Sequence, residues 1–119
     1  MIFILFVLNN SECLEDLLSA WEDLGVTGIT ILPSTGLGRV RRSRALREDL
    51  PIFPSITDLM EHEEELNRTL FTVVDDDTMV EKIIDVTQKV VGDLSQPHTG
   101  ILITMPVSQA YGLNKTKKK

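Results

Sequence analysis

The sequence predicts a single α+β domain in which four strands form an antiparallel sheet and two helices cover one of its faces. Three observations predict it. Two stretches of helical periodicity alternate with four short apolar runs, in the order βαββαβ. The apolar runs are made of Ile, Leu and Val, while aromatic residues are only 5% of the chain, so the core is aliphatic. A chain of 119 residues, 42% hydrophobic and 25% charged, supplies one core and leaves no room for a second domain.

Ile2 to Leu8 is an unbroken apolar run, the pattern of a central strand covered on both faces. Asn9-Asn10-Ser11 offers a turn and an N-cap, and Glu12, Glu15 and Asp16 put negative charge where a helix N-terminus favours it. Leu14, Leu17, Leu18, Trp21 and Leu24 then recur at helical spacing, which makes Trp21 and Cys13 packing residues, and Gly25 ends the helix. Val26 to Leu32 reads as a second strand, with Val26, Gly28, Thr30 and Leu32 on one face and Thr27, Ile29 and Ile31 on the other. Pro33-Ser34-Thr35 closes it.

From Gly36 to Asn67 roughly thirty residues hold no regular strand, a length that signals a functional or mobile loop. A short helix is expected to begin at Asp58-Leu59-Met60-Glu61 and to carry Glu61, Glu63, Glu64 and Glu65. Arg68 to Val74 is the third strand. Thr78 with Glu81 fits a capping box, and Val80, Ile83, Ile84, Thr87, Val90 and Val91 form the apolar stripe of a second helix that Gly92 ends. After a turn from Asp93 to Thr99, Gly100 to Met105 is the fourth strand, and Pro106 fits only its end or an edge.

This order is that of a ferredoxin-like sandwich with a long loop between its second and third strands. Two helices cover only one face of such a sheet, yet the first, second and fourth strands are apolar on both. Burial of the second face against other copies of the chain follows, so an oligomer is expected.

A net charge of −6 and a pI near 4.8 argue against non-specific nucleic-acid binding. The balance hides a segregation: Arg39, Arg41, Arg42, Arg44 and Arg47 crowd one part of the loop, and Glu48 to Glu65 is strongly acidic. The one cysteine, Cys13, allows no internal disulfide and no Cys-based zinc site within a chain, which fits a reducing cytoplasm. The apolar start is too short to span a bilayer and lacks the marks of a signal peptide. Residues 114–119, with four lysines, read as a disordered, solubilising tail behind a domain of residues 1–113.

Thr35-Gly36-Leu37-Gly38-Arg39 at the loop entrance, Val73-Val74-Asp75-Asp76-Asp77 with Val80-Glu81-Lys82-Ile83-Ile84 beyond it, and Gly25-Val26-Thr27-Gly28-Ile29-Thr30 before it carry a resemblance. In these motifs and their spacing, over about residues 1 to 107 apart from the loop interior, the chain resembles the PII signal-transduction proteins of nitrogen regulation. The resemblance implies a homotrimer with its sheets facing the centre. It also implies a T-loop, here residues 36–67, that docks on a target protein, soluble or membrane-embedded, and an adenine nucleotide (AMP, ADP, ATP or a cyclic form) held between subunits. It implies regulation rather than catalysis, so no catalytic residue is assigned. Carried over by position, Thr30, Gly36, Leu37, Gly38, Arg39 and Val73 would line one side of the nucleotide cleft, with Thr99 and Gly100 near the opposite turn.

The departures matter as much. Val40 stands where the family has a Gln that helps hold a divalent metal and 2-oxoglutarate. The turn Gly92-Asp93-Leu94-Ser95-Gln96-Pro97-His98-Thr99-Gly100 lacks the family's phosphate-reaching lysines, and Ser108-Gln109-Ala110-Tyr111-Gly112 replaces its arginines after the last strand. The T-loop tyrosine that some members have modified is missing. The loop is also longer.

On chemistry alone, Gly36 and Gly38 would let the backbone take positive φ and aim amides at an anion beside Arg39, or would merely permit a sharp exit from the strand. Arg41, Arg42, Arg44 and Arg47 lie within a Debye length of one another, roughly 8 Å at physiological salt, and would repel without a partner. That partner is either internal, the acidic run from Glu61 to Glu65, or external, as a partner-binding loop requires. His62 between Glu61 and Glu63 reads as part of a solvated acidic face, so no metal site is assigned. Competing readings are a small-molecule or metal-binding trimer of related fold without a signalling role, a phosphate-ester hydrolase, and an RNA-binding sheet. The hydrolase needs an Arg-bearing loop where Asn9-Asn10-Ser11 stands, and the RNA-binding sheet needs exposed aromatics where only Phe71 is placed.

Overall fold

The computed structural model describes residues 1–37 and 67–113. Within them the predicted order βαββαβ is found. Strand β1 is Ile2–Leu8, a 3-10 turn Ser11–Cys13 runs into helix α1, Leu14–Asp23, and β2 is Thr30–Ser34. Strand β3 is Asn67–Val74, helix α2 is Asp77–Val91, and β4 is Ile101–Pro106. The strands lie in the order β2-β3-β1-β4, every neighbour antiparallel. The expected short helix near Asp58, and the tail, lie outside the described residues.

Alternation along the strands divides the sheet into two faces. On one, Ile4, Phe6 and Leu8 of β1 and Leu70 and Val74 of β3 pack with Leu17 and Trp21 of α1, Ile83 of α2 and Val26. Both helices therefore cover the same face, as predicted. Trp21 Nε1 ties them together by donating to Thr87 Oγ1 at 3.0 Å, both residues being fully buried.

The helix ends follow local chemistry. Asn10 accepts from the Glu12 amide at 3.0 Å and opens the turn into α1. Gly25, at φ 99°, ends it: its amide bonds the Glu22 carbonyl at 2.9 Å, and Val26 N reaches the Trp21 carbonyl at 3.2 Å. Gly92, at φ 102°, closes α2 with its amide on the Gln88 carbonyl at 2.9 Å. The start of α2 differs from expectation. Its cap is Asp76, whose extended backbone turns a carboxylate onto the Met79 amide at 3.1 Å, while Thr78 is already inside the helix.

Two strand boundaries also move. The second strand begins at Thr30 rather than Val26 and takes in Pro33 and Ser34. It tolerates Pro33 because it is an edge strand, paired only with β3. Val26 leaves the sheet to bury its side chain against α1 and the core. The fourth strand runs from Ile101 to Pro106, opposite Ile2, on the other edge.

The second face of the sheet holds Thr30, Leu32 and Ser34 of β2, Thr69, Phe71 and Val73 of β3, Phe3, Leu5 and Val7 of β1, and Ile101, Ile103 and Met105 of β4. No described element covers it. Leu32 is 47% exposed, Ile101 60%, Ile103 45% and Met105 48%. Phe3 and Phe71 meet there, ring centroids 5.6 Å apart and tilted by 35°.

Candidate functional site

The residues assigned to a ligand cleft fall in three places. Thr30 begins β2, opposite Phe71, with Val73 one step further along the same face of β3. Gly36 and Leu37 follow the other end of β2 and are exposed, Leu37 to 65%. Thr99 and Gly100 precede β4, at the same end of the sheet as Gly36 but beyond the opposite edge. Three strand spacings separate those edges, roughly 14 Å. One copy of the chain does not bring these groups together. Gly38 and Arg39, and the loop residues Arg41, Arg42, Arg44 and Arg47, lie outside the described residues.

The two ends of the cleft differ in build. Gly36 is not at positive φ, and a Cβ added there would meet nothing within 4 Å. Of the two readings of this glycine, the positive-φ one is not met: β2 ends at Ser34 and Gly36 follows it without a left-handed backbone. Gly100 is the demanding position. At φ 127°, an added Cβ would stand 2.5 Å from the Val7 carbonyl oxygen and 2.8 Å from the Phe6 ring. The last residue of the turn from Gly92 to Gly100 is therefore pressed against the end of β1.

That turn is held by its own side chains. Asp93 Oδ1 accepts from the Ser95 amide at 2.9 Å and from Ser95 Oγ at 2.8 Å. The Ser95 amide first, and its hydroxyl second, hold the Asp93 carboxyl below its ordinary pKa. Thr99 Oγ1 donates to the Gln96 carbonyl at 2.9 Å, and His98 is exposed with φ 67°. No lysine or arginine stands between Gly92 and Gly100, so the only formal charge there is the negative one of Asp93. Among the described residues no three of His, Cys, Asp and Glu converge to hold a metal ion.

Sequence reading missed the polar group at the root of the loop. Ser34 Oγ and Thr69 Oγ1 are 2.8 Å apart, and Asn67 Oδ1 is buried without a hydrogen-bond partner. The signal was the polar run Asn67-Arg68-Thr69 at the start of a mainly apolar strand, opposite Leu32-Pro33-Ser34.

A four-stranded antiparallel sheet with two helices on one face, and a long connection between β2 and β3, is thus the frame, and a family comparison decides its kinship. The model of the nitrogen regulatory protein P-II family matches residues 2–117. The chain belongs to the P-II family. No curated protein matches it in sequence. Membership makes this a PII-like regulatory protein, and the fold described above is one that the PII assignment fits. In this PII chain the described residues hold no helix long and apolar enough to cross a membrane.

Proposed function

We propose that this PII protein is a non-enzymatic, cytoplasmic regulator that assembles as a homotrimer and modulates a partner protein through the loop of residues 36–67. Arg41, Arg42, Arg44 and Arg47 make the loop's contact in this reading. The uncovered sheet face carries the assembly. Leu32, Phe71, Leu5, Phe3, Ile103 and Met105 form an apolar surface of the kind that soluble proteins bury against a second copy. Separation of the two halves of the cleft across one sheet supports the same reading, because a neighbour is needed to close it.

An adenine nucleotide or another small anion is the ligand proposed for that cleft, with Thr30, Gly36, Leu37, Gly38, Arg39 and Val73 on one side and Thr99 and Gly100 on the other. The absence of basic residues between Gly92 and Gly100 favours a ligand with less phosphate charge than ATP. Light scattering on the purified protein tests the assembly, with a mass of three times 13.4 kDa expected and a monomer overturning it. Thermal unfolding with AMP, ADP, ATP and cyclic nucleotides tests the ligand: at about 100 times the dissociation constant, binding adds about 2.7 kcal/mol. No shift with any of them removes the nucleotide and leaves a protein-interaction module.

A further inference from the structure

Three polar side chains share the loop end of the mainly apolar open sheet face. Ser34 and Asn67 oppose each other on the last rung between β2 and β3, and Thr69 follows two residues along β3, on the same face. Ser34 pairs with Thr69, hydroxyl to hydroxyl at 2.8 Å, rather than with the residue directly opposite. Asn67 is left with a buried, unpartnered Oδ1 although only 9% of the residue is exposed. The Arg68 guanidinium bonds the main-chain carbonyl of Asn67, at 3.2 Å, and not its side chain.

A buried acceptor without a donor is a standing cost. Its neighbour across the rung carries a rotatable hydroxyl, which is both donor and acceptor. Directly opposed side chains on antiparallel strands stand closer than diagonal ones, so a rotation about χ1 would turn the Ser34 hydroxyl toward Asn67.

We propose that Ser34, Thr69 and Asn67 form a two-position latch at the root of the loop. In the state described, Ser34 is fastened to Thr69; in the second, it is fastened to Asn67, whose acceptor is then satisfied. The chain leaves the sheet just after Ser34 and returns at Asn67, so the latch joins the two strand ends that the loop connects. The regulatory consequence rests on the loop reading above, whereas the latch itself does not.

Amide hydrogen exchange at the loop end of β2 and β3 tests it, measured by NMR on the purified protein with no partner or nucleotide added. Ser34→Ala abolishes both positions and speeds exchange about fivefold, the scale of one ordinary hydrogen bond. Thr69→Val leaves exchange within about twofold of the parent, because Asn67 takes over the Ser34 hydroxyl. Adding Asn67→Leu to Thr69→Val restores the effect of Ser34→Ala. Equal effects of Ser34→Ala and Thr69→Val mean a fixed pair and overturn the latch, as does a Ser34→Ala protein that exchanges like the parent or a double variant that exchanges like Thr69→Val. A failed latch leaves the proposed trimer and its partner untouched, and a monomer in light scattering leaves the latch untouched.

Discussion

Trp21 and Thr87 are joined by a buried hydrogen bond, indole Nε1 to hydroxyl at 3.0 Å, that ties α1 to α2 across sixty-six positions of sequence. Thr87 is the one polar residue in the buried stripe of α2, whose other fully buried member is Ile83. Its hydroxyl is there because an indole N–H taken out of water needs an acceptor. Thr87→Val keeps the shape and removes the acceptor, and is expected to cost about 1–3 kcal/mol. Urea unfolding followed by the fluorescence of the single tryptophan reads this as a lower midpoint at unchanged slope.

Gly100 and Gly25 both sit at positive φ, but in different surroundings. Around Gly25 an added Cβ meets nothing within 4 Å, while at Gly100 it meets the Val7 carbonyl at 2.5 Å and the Phe6 ring at 2.8 Å. Gly25→Ala is expected to cost about 1–2 kcal/mol, the strain of a left-handed backbone alone. Gly100→Ala displaces the edge of a fully buried phenylalanine as well and is expected to cost about 3 kcal/mol or more. Thermal denaturation of the two variants side by side ranks them.

Ile103 lies opposite Leu5 on the uncovered face, 45% exposed in the isolated chain. Ile103→Lys places a charge where a second copy is proposed to sit and leaves the helix-covered core alone. The expected outcome is a monomer in light scattering whose circular dichroism matches that of the parent. A variant that keeps the parent's mass shows that this face is not the one buried.

Asp93 gives a pH dependence with a defined sign. Its carboxyl is held below the ordinary value of 3.8 in the folded chain, so as pH falls through that value the unfolded state takes up the proton first. The stabilising contribution is complete above this range and is lost as pH drops through the lower folded value. An NMR titration of Asp93 reads the shift directly. Ser95→Ala moves it back only in part, because the Ser95 amide, the larger cause, remains.

The sequence shows the element order and both helix-packing faces, because apolar spacing reports burial directly: Leu17, Trp21 and Ile83 were all on the predicted stripes and all are buried. The cap of α2 was misread since Asp76 and Thr78 are both good capping residues, and only backbone geometry distinguishes them. The start of β2 was misplaced for a related reason. Val26 has the apolar character of a strand residue, but it is buried by α1 rather than by pairing. The site was less legible. Gly36 has the look of a left-handed glycine and is not one, whereas Gly100, read as the start of a strand and as a neighbour of the cleft, is the position where a side chain has no room. Ser34 stands in a different strand from Asn67 and Thr69, and only pairing register brings it to them.

Prolines stand in both strands that border the sheet, Pro33 in β2 and Pro106 at the end of β4. Each removes a main-chain donor from a border that would otherwise be a template. A foreign strand laid along either side finds a gap in its ladder, which weakens such pairing next to the exposed Ile101, Ile103 and Met105. Growth along the hydrogen-bonding direction meets a missing donor at each border, so the flat surface is the side of this sheet better suited to association.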